Sequence, residues 1–273
     1  MKHNKTFIVI ILLVLIAGFL AYKFRADLRE AWDSMFEEDV PVLTVNDFKN
    51  INSVTNDSST NTTNTDIINT NQTPEPINAE PEPLPDSINL DVPFTSQAPH
   101  ANWELPYQEA CEEASAITVH YYYEGKTFTQ DIADQEILDL VEFENSYFGD
   151  YLDTTAEETA EFIREYWGYE RVDVIYDPTI EDIKSHVAAG RPIIVPAAGR
   201  ELGNPNFTSP GPIYHMFVVR GYSTTQFITN DVGTRMGENY RYDYDVVMNA
   251  IHDWNDGDVD NGQKVVIAVY PNN

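Results

Sequence analysis

Residues Val92 to Tyr123 read VPFTSQAPHANWELPYQEACEEASAITVHYYY, and this stretch contains the only cysteine of the chain, Cys111. Three prolines precede the cysteine and predict that this part of the segment has no regular secondary structure. The apolar spacing from Cys111 up to Gly125 predicts a helix. A thiol in the first turn of a helix lies near unpaired backbone N–H groups and the positive end of the helix dipole, which favour a thiolate. Cys111 is therefore a candidate nucleophile, although a lone cysteine is more often a small buried residue.

His215 is the candidate base among the six histidines of the chain. It begins the apolar segment HMFVVRGYS, residues 215–223, which is predicted to be a strand and directly follows a proline-containing loop. A residue at the mouth of a strand can present a base from a rigid scaffold. By contrast, His120 and His186 lie within predicted helices and His252 at the end of one, where packing or surface positions are expected.

A group that orients the histidine is expected across a hairpin. If the turn is centred on Ser223, His215 and Asp231 lie opposite one another on the same face of a two-stranded ladder. A carboxylate there can bond one imidazole nitrogen and leave the other facing the thiol. A turn of even length would change the parity and bring Asn230 to that face instead. Asp231 is the candidate orienting residue, and Asn230 is the alternative.

Acyl transfer also requires a donor for the oxyanion. Gln97 and Gln108 precede Cys111 by 14 and 3 residues, and either side-chain N–H could act together with the Cys111 backbone N–H. Gln97 lies in a loop that could fold over the site. Gln108 is closer in sequence, but at the start of the helix it could point away from the site.

The elements predicted after residue 88 place most helices first and an antiparallel sheet second, which indicates an α+β fold rather than a doubly wound sheet. Besides the Cys111 helix, helices are predicted from about 130, from about 155 to 167, within 178–190 and within 242–254. Strands are predicted at 171–177, 191–199, 215–223, 226–232 and 264–271.

The chain divides into four predicted regions. Residues 1–24 include the apolar run Phe7 to Tyr22 with basic residues on both sides, which predicts a cytoplasmic tail and a transmembrane signal anchor; a cleaved signal peptide is the alternative. Residues 25–39 are predicted to form a juxtamembrane helix. Residues 40–87 are rich in Asn, Thr, Pro and Glu and are predicted to be a disordered linker. Residues 88–273 would then form a folded domain outside the cytoplasm, at the cell surface.

The formal net charge of −29 limits the possible partners. Nucleic-acid binding needs clustered lysine and arginine, so this charge argues against a nucleic acid as a partner. The acidity is expected to serve solubility, and it indicates cationic substrates more weakly. A single cysteine also excludes an internal disulfide, which fits a reducing compartment or an exported bacterial protein without disulfides.

Several short motifs together resemble a known family. They are CEEAS at 111–115, GRPI at 190–193, YHMFVVRGY at 214–222 and TND at 229–231. Their order and spacing resemble the papain-like cysteine peptidases of the bacteriocin-processing type, peptidase family C39, and more narrowly the C39-like bacterial branch. The resemblance covers about residues 88–270 and implies a papain-like α+β fold. By resemblance, the nucleophile, base, orienting group and oxyanion donor are Cys111, His215, Asp231 and Gln97.

The predicted function is therefore hydrolysis of a peptide or protein substrate by a membrane-anchored, monomeric cysteine peptidase that needs no cofactor. An amidase or transpeptidase could use the same triad, and a non-catalytic binding module on a stalk would suit the anchor and linker equally well. The acidic run Asp253 to Asp260 is predicted to be a solvated loop rather than a calcium site. Asn261 occupies the position where an EF-hand needs glycine, and Ile267 occupies the position of its final acid.

Overall fold

The computed structural model describes residues 40–48 and 83–272. The predicted anchor, the juxtamembrane helix and most of the predicted linker lie outside the described residues. Within the described ranges, no helix combines the length and apolar character needed to cross a membrane. Five α-helices have both ends within these ranges, namely α1 (Cys111–Glu124), α2 (Gln130–Tyr147), α3 (Ala156–Trp167), α4 (Ile180–Ala188) and α5 (Tyr244–Ala250), and residues 45–48 are also helical. The eight strands are β1 (Val42–Leu43), β2 (Ile88–Leu90), β3 (Val172–Tyr176), β4 (Ile193–Ala198), β5 (Tyr214–Tyr222), β6 (Gln226–Asn230), β7 (Tyr240–Asp243) and β8 (Val265–Val269).

Short-range sequence signals account for the ends of most helices. The Thr129 hydroxyl accepts the backbone N–H of Ile132 at the start of α2. Helices α3 and α4 begin with reciprocal capping boxes, in which Thr155 and Thr179 are the N-cap residues. Helices α1 and α5 differ, because no side chain caps their first N–H groups. The amino-terminal end of α1 is therefore left open at Cys111.

The eight strands form one sheet in the order β1-β2-β5-β4-β8-β3; β6 pairs with residues 218–222 of β5, and β7 pairs with β6. All pairings are antiparallel except that of β1 with β2. Every residue of β4, β5 and β8 is buried, which is expected of strands covered on both faces. Helix α1 packs against β5 and is itself buried over most of its length. This mixed architecture confirms the predicted α+β fold.

Residues 40–48 belong to the folded domain, which corrects the predicted linker boundary. Val42 and Leu43 pair in parallel with β2, although their surrounding composition predicts disorder. The ring of Phe48 lies over Gly190, where an added Cβ would approach its atoms to 2.6 Å. A few apolar residues in a polar segment are thus enough to add a strand to the sheet and to place an aromatic ring against the domain. The local composition could not reveal this pairing, because it depends on the exposed edge of β2.

Candidate active site

Cys111 lies at the first position of α1, directly after a short 3₁₀ turn at Tyr107–Glu109. The first intrahelical bond runs from the backbone N–H of Ala114 to the carbonyl of Ala110. The backbone N–H groups that precede Ala114 therefore have no partner among the helix carbonyls. The Cys111 side chain is only 6% exposed, so the sulfur lies beneath the surface of the domain.

His215 is the second residue of β5 and is fully buried. Its Nε2 atom lies 2.9 Å from Oδ1 of Asp231. Because a carboxylate can only accept, this contact places the ring proton on Nε2 and leaves Nδ1 as the free nitrogen. Phe207 packs edge-on against the ring, and Gly233 lies so close that an added Cβ would come within 2.7 Å of Cε1. The orientation of the imidazole is therefore fixed on several sides.

The hairpin that carries this pair has a different register from the predicted one. Its turn is of even length, because the backbone N–H of Ser223 donates to the carbonyl of Gln226 across two turn residues. The register then shifts between Val219 and Gly221, which marks a bulge at Arg220. Beyond the bulge, Val218 pairs with Asn230. The expected turn centre at Ser223 was wrong. The even-length turn alone would bring Asn230 to the face of His215, but the bulge shifts the register by one residue and returns Asp231 to that face.

This register decides which of the two candidate orienting residues faces His215. Asp231 directly follows β6, and its carboxylate bonds the imidazole. The side chain of Asn230 points elsewhere: its amide donates to the carbonyls of Val92 and Pro93 at 3.1 and 3.0 Å. Asn230 therefore fastens the segment that leads towards Cys111, and Asp231 is the group in contact with the histidine.

Four donors converge on the buried Asp231 carboxylate. Oδ2 accepts from the Asn204 amide at 2.9 Å and from the Tyr242 hydroxyl at 2.5 Å. Oδ1 accepts from the Gly233 backbone N–H at 3.1 Å in addition to His215. Burial by itself would raise the pKa of Asp231, but His215 and these hydrogen bonds outweigh it, and the pKa lies below its ordinary value. The group is thus held as a carboxylate.

Asn204 and Tyr242 were not singled out in the sequence. Asn204 lies in the loop before β5, and Tyr242 lies on β7, so neither is near Asp231 in the chain. Their amide and hydroxyl also bond one another at 2.8 Å. No local pattern marks such a contact, since it arises only when β7 pairs with β6.

The sulfur of Cys111 lies beside the start of β5 but is hydrogen-bonded to Glu112. Its Sγ donates to Glu112 Oε2 at 2.9 Å, and no hydrogen bond joins it to His215 in the described part of the chain. Burial raises the pKa of the thiol most, and the charge and hydrogen bond of Glu112 raise it further. The backbone N–H of Met216, the residue after His215, acts in the opposite direction. Helix α1, of which Cys111 is the first residue, packs against β5, the strand that carries the histidine.

The two candidate oxyanion donors occupy different environments. Gln97 is buried, and its Nε2 donates to the carbonyls of Tyr107 and Gln108 at 2.9 and 3.0 Å. Its backbone N–H donates to Val232, the residue after Asp231. Gln97 thus connects the segment just before Cys111 with the residue after Asp231. Both hydrogens of its side-chain amide already donate to backbone carbonyls. The exposed Gln108 side chain instead bonds its neighbour Glu109.

The acidic run near the carboxyl terminus has a structural role at its first residue. Asp253 Oδ1 accepts the backbone N–H groups of Ala156 and Trp254 and the hydroxyl of Tyr214. It thereby joins the start of α3 to the segment just before His215. No group of three or more potential ligands for a metal ion occurs in the described ranges.

Comparison with known proteins identifies the family. The sequence model of the Peptidase_C39 like family matches residues 89–257. The chain belongs to the peptidase C39-like family. The matched span contains the thiol, the buried His215–Asp231 pair and Gln97, and membership supports a papain-like fold and a peptidase-type function.

The C39-like domain also matches solved structures. One is the crystal structure of a candidate C39-like peptidase from Bacillus anthracis, with a TM-score of 0.45 and 16% sequence identity. The alignment covers 67% of this chain and 96% of that chain. No curated protein matches this chain significantly.

Proposed function

We propose that this chain is a cysteine peptidase that hydrolyses peptide bonds with Cys111 as nucleophile, His215 as base and Asp231 as the orienting carboxylate. The observation that carries the proposal is the buried contact of 2.9 Å between His215 Nε2 and Asp231 Oδ1. It leaves Nδ1 as a proton acceptor at the start of the strand beside which the sulfur lies. A buried imidazole with one nitrogen held by a carboxylate is suited to move protons.

The reaction would begin when the thiol turns from Glu112 towards His215. Nδ1 takes the thiol proton, and the sulfur attacks the carbonyl carbon of the scissile peptide bond. The resulting tetrahedral intermediate collapses as His215 returns the proton to the leaving amine, which produces an acyl-enzyme. His215 then deprotonates a water molecule, and this water attacks the thioester. The carboxylic acid product is released, and His215 returns the proton to the sulfur. Asp231 stabilises the imidazolium in both halves of the cycle.

The oxyanion would be stabilised at the open end of α1. The backbone N–H of Cys111 precedes the first intrahelical bond, so no carbonyl of the helix accepts it. Gln97 would contribute its side-chain N–H only after it exchanges one of its two carbonyl partners. Gln97 therefore stays a proposed donor that requires a small local rearrangement on substrate binding.

Peptide hydrolysis can be tested with the full chain in detergent and a library of peptides from a digested bacterial proteome. Mass spectrometry should show new amino termini with the wild-type chain and none with Cys111→Ala. Cys111→Ser is a matched control of nearly the same size, and we expect it to be at least 100-fold slower than the wild type. Undiminished cleavage by Cys111→Ala would refute the proposal. Products joined to an added amine would instead favour transpeptidation.

We further propose that residues 1–24 anchor the domain to a membrane with the catalytic domain outside the cytoplasm. The apolar run from Phe7 to Tyr22 and its basic flanks support this arrangement. In intact producing cells, added protease should remove the domain from the cell surface, and alkaline carbonate should not extract the full chain from membranes. Protection of the domain until the cells are lysed would contradict the proposed orientation.

A further inference from the structure

Glu112 is in direct contact with the proposed nucleophile. Its carboxylate is 1% exposed, and Oε2 accepts the Cys111 thiol at 2.9 Å. None of the ion pairs among the described residues includes Glu112, so no lysine, arginine or histidine there compensates its charge. A buried carboxyl group without a cation needs another reason for its position. Its contact with the sulfur supplies one.

The titratable groups that act on Glu112 from α1, α2, the following loop and β5 are three carboxyl groups and a tyrosine. Glu113 neighbours it on α1, Glu144 approaches from α2, and Asp153 lies in the loop between α2 and α3. Tyr214 faces it from β5. Burial first, and then the charge of Glu113, raise the pKa of Glu112 well above its ordinary value. The carboxyl group therefore takes up a proton under less acidic conditions than an exposed glutamate.

The charge of Glu112 determines which form of the sulfur is favoured. The ionised carboxylate can only accept, so it stabilises the neutral thiol and would repel a thiolate in the same buried site. A protonated carboxyl group carries no charge and can donate its hydrogen to the sulfur. In that form it no longer opposes the transfer of the thiol proton to His215.

We infer that Glu112 is a positioning residue that holds the Cys111 thiol neutral and turned away from His215, and that protonation of Glu112 releases it. This inference rests on the proposed function for the role of His215. It goes beyond that function because it makes the reactivity of the nucleophile depend on the ionisation of a second, neighbouring group. The domain would then be at rest while Glu112 is ionised, and it would be activated when the carboxyl group takes up a proton.

The single cysteine of the chain makes the experiment unambiguous, because any thiol signal comes from Cys111. The rate of reaction with 2,2′-dithiodipyridine is measured from pH 5 to 9 for the full-length wild type, Glu112→Gln and Glu109→Gln. Glu109 is the matched control: it lies two residues before the cysteine, and its Oε1 accepts from Gln108 rather than from the thiol. Glutamine has the shape of a protonated glutamate but cannot ionise.

At pH 8, Glu112→Gln should react at least tenfold faster than the wild type, since one unit of thiol pKa changes the thiolate fraction by about tenfold. The ratio should fall towards one as the pH is lowered, because Glu112 takes up its proton in the wild type. Glu109→Gln should stay within about threefold of the wild type throughout. A ratio for Glu112→Gln that is independent of pH, or within twofold of one, overturns the inference.

A second variant, Glu112→Leu, fills the site without a charge and should show the same acceleration at pH 8. Circular dichroism establishes that each variant is folded, and if Glu112→Gln does not fold, Glu112→Leu provides the same comparison. His215→Ala separates the two proposals. If it neither slows thiol reaction nor abolishes peptide cleavage, the proposed function fails, whereas the pH-dependent effect of Glu112→Gln can still be observed.

Discussion

Stability should fall as the pH rises, because Glu113 on α1 and Glu144 on α2 form a buried carboxyl pair. Both side chains are fully buried, and none of their four oxygen atoms has a donor within the described residues. The two groups can be satisfied only if they share a proton. Burial raises the pKa of Glu144 to about 8, and the charges of Glu112 and Glu158 act in the same direction.

The sign of the effect follows from proton binding. The folded state holds a proton that the unfolded chain releases near pH 4.5, so the stabilisation is complete below that pH and is lost as the pH rises to about 8. A difference of about 3.5 units corresponds to about 5 kcal/mol of lost stability, as an order of magnitude. This is a substantial part of the stability of a typical domain.

Glu144→Gln tests this reasoning, because the amide can donate to Glu113 without requiring a proton. Urea unfolding at pH 8 should show the variant to be several kcal/mol more stable than the wild type, while at pH 5 the two should be similar. Glu142→Gln, an exposed position on the same helix, is the control and should change stability by less than about 0.5 kcal/mol. Wild-type stability that increases from pH 5 to 8, or a variant destabilised equally at both pH values, would refute the argument.

Three further predictions concern the site and its support. Asp231→Asn should lower kcat for peptide cleavage by about 10²–10⁴-fold, because the amide cannot stabilise the imidazolium; an unchanged kcat would contradict this role. Gly233→Ala should lower kcat/KM at least tenfold, because the added Cβ would displace the His215 ring; full activity would show that the ring position is not critical. Arg220→Met should cost about 1–3 kcal/mol in urea unfolding, since the carbonyl of Leu90 and the side chain of Asn230 lose a buried donor.

Local patterns were sufficient for the elements that carry the proposed chemistry. The helix that begins at Cys111 and the strand that contains His215 follow from apolar spacing and from the flanking glycine and prolines. These signals act over a few residues, so they survive in any tertiary context that buries one face. The parity of the hairpin could not be predicted in the same way, because the bulge at Arg220 depends on the bonds of its side chain to Asn89 and Leu90.

The sequence by itself determined the α+β class, the family, and the residues whose chemistry suits a cysteine peptidase. Only the tertiary structure decided that Asp231 rather than Asn230 contacts His215. It also decided that Asn204 and Tyr242 donate hydrogen bonds to the Asp231 carboxylate, and that the thiol contacts Glu112. It also brought residues 40–48 into the sheet. The physical reason is range: helix and strand signals are local, whereas these contacts join segments whose approach depends on how the whole sheet is paired.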